Sequence, residues 1–333
     1  MGSIEETYGI FRFVDPDLSV SAYDRAIFAN PRPKRLEQLK LPLHNFWTSD
    51  EVAKGNAGLD TQGFTYIKHA SALTAENVFE GSNVEKILVP ETIDMMLKLT
   101  GAKRGVVHNV TFRRKSAAKQ ENLDFIPMRG NELDQILAKM PKNQLLVAVN
   151  GKDVQSSSEP ARQCHVDLTL KGLRTTLRSA TTEIAEAARN VIEAEDLCAS
   201  GADVRVPRCA SYSIWRPLQT VKRDPISICD YRTLDMAELI PTENRIPSGI
   251  NPEGDYVVEA YTAQPPKRPE LQKWYWVPEQ KPDEVCIIKF ADTAAEGDPS
   301  IAACGLHVSP VLPGTENEEI RQSSEIRVYL FWE

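Results

Sequence analysis

At 333 residues, with 41% hydrophobic and 26% charged content, the chain is long enough to bury a large core and ordinary enough in composition to be a soluble globular protein of one elaborated domain or two. Its 39 basic and 47 acidic residues leave a formal charge of −8, and no dense Lys/Arg run carries interleaved aromatics, which argues against nucleic-acid binding. No apolar stretch reaches membrane-spanning length, the N-terminus lacks a basic-then-apolar leader, and the six cysteines include no Cys-x-x-Cys pair, so a cytoplasmic protein with reduced core thiols is expected.

Residues 1 to 57 carry turn signals at Asn30-Pro-Arg-Pro33, Leu41-Pro-Leu43 and Gly55-Asn-Ala-Gly58 and read as an irregular wrapping arm. Phe64 to Lys68 alternates like a strand. Pro90 to Gly101 predicts a helix, with proline at its start and glycine just past its end. Gly105 to Arg114 is β-rich, Lys115 to Asn122 is a polar loop, and the polar stretch Gly151 to Pro160 leads into a strand over Arg162 to Leu170. Alanines and aliphatics from Thr182 to Asp196 form one apolar stripe and predict a helix. Beyond residue 200 come short strand candidates at Ala210 to Leu218, Pro225 to Asp230, Tyr256 to Tyr261, Lys273 to Val277, Glu284 to Phe290 and Ser324 to Trp332. Many short strands bounded by turn residues indicate a mainly β fold with flanking helices, a sandwich or jelly roll. The expected organisation is an N-terminal arm with helical and strand elaboration over 1–100, packed on a β core over 101–333 with a helical insertion near 182–200.

His165 and Asp167 stand two apart in a strand candidate, where residues i and i+2 share a face, and His307 lies near the end of the chain. Two histidines and one carboxylate with open coordination positions are the facial triad of non-haem Fe(II) oxygenases, because the metal must hold three protein ligands and still admit O2 and a co-substrate. His69 and His108 have no spaced partner and read as structural. Ser213, Trp215 and Arg216 are substrate-pocket candidates, with a core tryptophan and a buried ion pair as the alternative reading. Arg113 and Arg114 read as a solvated strand end before a grip on an acidic substrate. Trp274-Tyr-Trp276 reads as sandwich packing.

Several blocks together carry a resemblance: His165-x-Asp167, Ile214-Trp-Arg-Pro-Leu218, Pro225-Ile-Ser-Ile-Cys-Asp-Tyr-Arg232, Trp274-Tyr-Trp-x-Pro278, Lys289-Phe-Ala-Asp292 and Arg321-Gln-Ser-Ser-Glu-Ile-Arg327, with Gly63-Phe-x-x-x-Lys-His69 and Thr111-Phe-Arg-Arg114 upstream. In this order the chain resembles the asaB-like hydroxylase/desaturase family, similar to the cephamycin C-7 methoxylation hydroxylase and to gibberellin GA4-desaturase-type proteins. The resemblance implies a double-stranded β-helix (jelly-roll) core using Fe(II), 2-oxoglutarate and O2 on a small-molecule, secondary-metabolite substrate. By that resemblance His165, Asp167 and His307 would bind iron, and Arg321 with Ser323 would hold the distal carboxylate of 2-oxoglutarate, with Arg327, on the same strand face, as the second anchor candidate. The chemistry agrees, since a guanidinium offers a rigid bidentate fork to a carboxylate. Val166 and Leu168 depart from the polar and aromatic residues usual in relatives there, and Leu306 and Val308 from the usual proline and threonine, which makes the neighbourhood more apolar and suggests a different substrate or outcome.

The implied reaction is C–H abstraction ending in hydroxylation, desaturation or oxidative cyclisation; the Asp167 carboxylate disfavours halogenation by filling the place a halide would take. Two other function classes stay open at this level: a non-redox metal-dependent isomerase or hydrolase using the same pocket, and a metal-free accessory protein. Oligomeric state is not legible, and a homodimer is compatible with the chain.

Overall fold

A computed structural model describes residues 7–117, 126–132, 134–135 and 148–333; most of the polar loop expected over Lys115 to Asn122 lies outside them. Two sheets face each other. One has eight strands: β1 (Tyr8–Pro16), β2 (Pro33–Asn45), β6 (His165–Val166), β8 (Ser227–Cys229), β9 (Leu239–Pro247), β10 (Asp255–Ala263), β11 (Trp274–Trp276) and β13 (His307–Val308), in the order β1-β2-β11-β8-β13-β6-β10-β9. The other has six: β3 (Phe64–Lys68), β4 (Arg104–Arg113), β5 (Ala148–Asn150), β7 (Cys209–Pro217), β12 (Glu284–Asp292) and β14 (Ser323–Phe331), in the order β3-β12-β7-β14-β4-β5. The non-sequential order of mostly antiparallel neighbours is that of a double-stranded β-helix, the jelly roll expected from the sequence.

Side-chain alternation sorts the residues into three apolar layers. Between the sheets lie Phe46, Phe64, Trp215, Ile228, Tyr256, Tyr275, Ile288, Phe290 and Tyr329. The outer face of the six-stranded sheet packs Val107, Val110, Phe112, Tyr212, Ile214 and Ile326 beneath α2 (Val89–Thr100), which ends at Gly101 in the left-handed conformation, φ 73°, as its sequence predicts. The outer face of the eight-stranded sheet packs Phe11, Phe13, Cys164, Val166, Cys229, Trp274, Leu306 and Val308. Trp274 and Trp276 pack in this outer layer and Tyr275 between the sheets, the sandwich packing expected.

Four local expectations are corrected. Within the segment expected to be irregular, residues 7–57 are not: β1 and β2 form a long antiparallel hairpin, and β2 pairs in parallel with β11, so the hairpin extends the sheet. The strand over Arg162 to Leu170 is only His165–Val166, because Thr169 caps a new helix, α3 (Leu170–Ser179), by accepting from the Gly172 amide. Gly172 is obligatory there, since a Cβ would come within 2.0 Å of the Glu259 carbonyl oxygen. The helix over Thr182 to Asp196 is two, α4 (Thr182–Ala187) and α5 (Arg189–Ala199), broken at Ala188; their apolar stripe still packs between the sheets, through Ile184, Ala187, Ala188 and Val191. Finally β9 and the short α1 (Gly55–Thr61) were not expected as elements. Among the described residues no helix is long and apolar enough to cross a membrane.

Candidate active site

His165 and His307 sit on the neighbouring two-residue strands β6 and β13, which pair antiparallel with these two residues opposite each other. Residues facing one another across an antiparallel pair hold their Cβ atoms close on one face, and the two imidazole centroids are 4.4 Å apart. Asp167 follows at the end of β6. The ligand atoms of His165, Asp167 and His307 all lie within 4.8 Å of one another.

Both rings are fixed in the same way. His165 Nδ1 lies 2.7 Å from the Gln163 carbonyl and His307 Nδ1 lies 3.0 Å from the Gly305 carbonyl. A carbonyl oxygen accepts, so each Nδ1 carries the proton and each Nε2 keeps a lone pair for a metal. Phe290 stacks on the outer side of His307 at 5.5 Å and 18°. Gly63 supports the same turn: at φ +84° its position would put a Cβ 2.3 Å from the Cys304 carbonyl oxygen, so the Gly63-Phe block matters to the approach of His307.

The charges follow from burial and neighbours. Burial pushes His307 down to about 4, helped by the adjacent His165. Burial opposes the charged form of His165 too, but the hydrogen bond and charge of Asp167 outweigh it and raise its pKa. Burial would raise Asp167, yet the charge of Arg327 and the two histidines hold it well below the usual carboxylate range. Asp167 Oδ1 is 3.4 Å from His165 Nε2, while Oδ2 accepts from Arg327 at 3.0 Å.

From the two histidines a cavity runs between Ser213, Trp215, Ile226 and Ile288 to Ser309 and Arg321. Arg321 is 2% exposed, its guanidinium is 5.3 Å from the Trp215 ring centroid, and Nη1 donates to the Asp224 carbonyl at 2.7 Å and to Ser309 Oγ at 3.2 Å. No carboxylate pairs with it among the described residues. Arg321 Nε and Ser323 Oγ are buried without a partner among the described residues. Burial, and then the nearby charge of Arg113, lowers Arg321 to about 9, with Asp224 and Glu325 offsetting only part of the effect, so the cavity end presents a cation. Asp224, which positions it, holds a positive φ of 53° and is clasped by Arg162 and Arg223. A buried guanidinium with a free Nε and a hydroxyl beside it are what a bound carboxylate would satisfy, and two imidazoles plus one carboxylate suit a ferrous ion. The residues therefore fit both groups.

The other sequence candidates divide. Ser213 and Trp215 line the cavity, but Arg216, adjacent on β7, points to the opposite face, where it donates to the His69 and Pro282 carbonyls and to His69 Nδ1. Arg327 is taken up by Asp167 and Glu325 and does not line the cavity leading to Arg321. Arg113 is no solvated strand end: it pairs with the buried Glu325 at 3.0 Å, and Arg114 covers the Phe79 ring at 4.1 Å. Val166 and Leu306 face the outer apolar layer and Leu168 the inner core, so these departures serve packing, whereas Val308 packs in the outer layer and also lines the cavity. His108 approaches Tyr329 Oη at 3.4 Å. Sequence reasoning missed Ser309 and Glu325. Each stands two residues from a candidate, Ser309 after His307 and Glu325 between Ser323 and Arg327, so strand parity alone was the available signal.

A jelly roll with this triad on its inner face has the architecture of a non-haem iron oxygenase. A family model described as Oxidoreductase/YMDC permease-like domain matches residues 35–331. The gibberellin cluster GA4 desaturase of Gibberella fujikuroi is 34% identical over 289 residues, 82% of each chain. Oxidoreductase chry3 of Gibberella zeae is 30% identical, over 88% of this chain and 89% of its own. Other relatives bear the name alpha-ketoglutarate-dependent dioxygenase. A solved structure, the iron and alpha-ketoglutarate-dependent endoperoxidase NvfI, superposes with a TM-score of 0.63 over 99% of both chains at 18% identity, a likeness of fold. The chain belongs to the hydroxylase/desaturase family of Fe(II)/2-oxoglutarate-dependent oxygenases.

Proposed function

We propose that this enzyme oxidises a C–H bond of a small-molecule, secondary-metabolite substrate, with His165, Asp167 and His307 holding Fe(II) and Arg321 with Ser323 holding the distal carboxylate of 2-oxoglutarate. The observation that carries the reading is the pair of imidazoles locked through Nδ1, both Nε2 atoms and an Asp167 oxygen within reach of one ion. When bound, the ferrous ion and 2-oxoglutarate with O2 supply oxidative decarboxylation coupled to hydrogen abstraction from an unactivated carbon. The chain's own residues prepare that chemistry. The Gln163 and Gly305 carbonyls hold the ring protons on Nδ1, and Phe290 restrains His307. Arg321 and Ser323 fix the far end of the keto acid, and Trp215, Ile226 and Ile288 exclude water from the space between. Relatives named desaturase and hydroxylase/desaturase support hydroxylation or desaturation as the outcome.

The test is anaerobic titration with Fe(II) and then 2-oxoglutarate, read as the weak visible charge-transfer band of the chelate, followed by succinate detection on a substrate screen. Saturable iron binding and a band requiring both components are expected. Turnover supported by zinc without 2-oxoglutarate would favour the isomerase or hydrolase reading, and a purified chain that takes up no iron would overturn the proposal. Cytoplasmic residence and a homodimer belong to the same proposal and are measured by cell fractionation and light scattering.

A further inference from the structure

The face that looks toward the triad from β14 carries more charge than the reaction needs. Ser323, Glu325 and Arg327 alternate along one side of the strand, and Arg113 lies opposite Ser323 on β4. Arg113 donates to Glu325 Oε2 through Nε and Nη2 at 3.2 and 3.0 Å. The other oxygen, Oε1, accepts from Arg327 Nη2 at 3.1 Å, and the same nitrogen donates to Asp167 Oδ2 at 3.0 Å. Both hydrogens of one nitrogen are thus committed, one to each carboxylate. The result is a ladder of alternating sign, Arg113–Glu325–Arg327–Asp167, with no net charge, which crosses from the six-stranded sheet to the end of β6 in the eight-stranded sheet.

A carboxylate can hold a metal through one oxygen or through both. Chelation through both would consume a position needed by the keto acid or O2. Asp167 has its two oxygens in different surroundings: Oδ1 faces His165 Nε2, and Oδ2 is held away by Arg327. Turning Oδ2 toward the metal would break a charge-assisted hydrogen bond and leave Arg327 with Glu325 alone. Resting on the metal reading above, we infer that Arg327 is a positioning residue that keeps Asp167 a one-oxygen ligand and so keeps a coordination place open, with Glu325 and Arg113 fixing Arg327 in turn. The inference also separates the two arginines of this strand region: Arg321 has no carboxylate partner among the described residues, whereas Arg327 has two.

The test compares Arg327→Gln and Arg327→Lys in the full chain, by anaerobic Fe(II) titration and by the position of the visible band with 2-oxoglutarate. Arg327→Gln is expected to weaken iron binding by about 10- to 100-fold, the usual consequence of removing a partner that orients a ligand, and to shift the band. Arg327→Lys retains one donor nitrogen and restores both toward wild type. If Arg327→Gln does not fold, the double variant Glu325→Gln/Arg327→Gln removes one charge of each sign and still leaves Asp167 Oδ2 unheld, so the same loss of iron affinity is expected. Wild-type iron affinity and an unshifted band in either Gln variant, with only a lower melting temperature, would reduce Arg327 to a structural tie and overturn the inference. Arg321→Gln separates the layers: it weakens 2-oxoglutarate but not iron, while a wild-type chain that binds no iron defeats the metal reading and this inference together.

Discussion

The two sheets build their halves of the site by opposite means. The eight-stranded sheet presents His165 and His307 on strands of two residues each, β6 and β13, whereas the six-stranded sheet presents its part of the charge ladder, Glu325 and Arg327 on the nine-residue β14 and Arg113 on its long partner β4. Two-residue strands hold a side chain only because what surrounds them is fixed: Nδ1–carbonyl bonds, a stacked Phe290, the Gly63–Cys304 approach. The long strands hold theirs by register. A metal site made of many small restraints should be all-or-none under mutation, and an anchor formed where a regular strand begins, by Ser323 and by Arg321 two residues before it, should respond in graded steps.

The sharpest way to break that contrast is Asp167→Ala. It removes a ligand and leaves Arg327 facing Glu325 alone, so iron binding and 2-oxoglutarate turnover are expected to vanish. Folding should persist, because Asp167 lies outside the apolar clusters. Metal content and succinate formation report it; measurable iron-dependent turnover in the purified variant would show that two histidines suffice.

Arg321→Gln is the first graded step. Loss of one charge-assisted interaction, roughly 1.5 to 3 kcal/mol, corresponds to a 10- to 150-fold rise in the 2-oxoglutarate dissociation constant with iron affinity unchanged. An unchanged keto-acid affinity would place the anchor elsewhere in the cavity.

Legibility in the sequence followed the same division. The long strands β7, β12 and β14 were readable because nine residues of β-branched and aromatic character give a pattern to detect. His165 and Asp167 were found by spacing, although the strand that justified the spacing stops at Val166 and a capped helix begins at Leu170. β13 could not be read at all, since two residues have no periodicity, and His307 was placed by order among the histidines and by resemblance. Asp224 and Ser309 reach Arg321 through tertiary approach, which no local pattern encodes. The β1–β2 hairpin was misread because Pro33 and Pro42 look like breakers; both fall on an outer hairpin, where a missing backbone donor is tolerated.

A smaller effect comes from protons. His108 is lowered to about 4 by burial and then by the charge of Arg327, and His307 to about 4 by burial and then by His165. Unfolded imidazoles titrate near 6.5, so the unfolded chain takes up protons first, and these two groups withdraw stability as pH falls from about 6.5 toward about 4, each by up to about 1.4 kcal/mol per pH unit. His165, raised by Asp167, contributes with the opposite sign. In metal-free protein, His108→Asn should therefore flatten the decline of urea stability between pH 6.5 and 4.5. A slope identical to wild type would mean that His108 is free to charge in the folded state.

Ser323→Ala sits at the weak end of the scale and tests the anchor most cleanly, because its two effects have opposite signs. The Ser323 hydroxyl is buried with no partner among the described residues. Leaving such a group unsatisfied costs stability, so its removal should leave the ligand-free protein as stable as wild type or more stable by up to about 1 kcal/mol. With 2-oxoglutarate bound the hydroxyl gains its acceptor, and losing a net 0.5 to 1.5 kcal/mol weakens the keto acid by about 2- to 10-fold. The rise in melting temperature on adding 2-oxoglutarate should thus shrink in a variant whose ligand-free melting temperature is unchanged or higher. A fall in the ligand-free value with no change in keto-acid affinity would show that the hydroxyl serves packing, leaving Arg321 to hold the distal carboxylate alone.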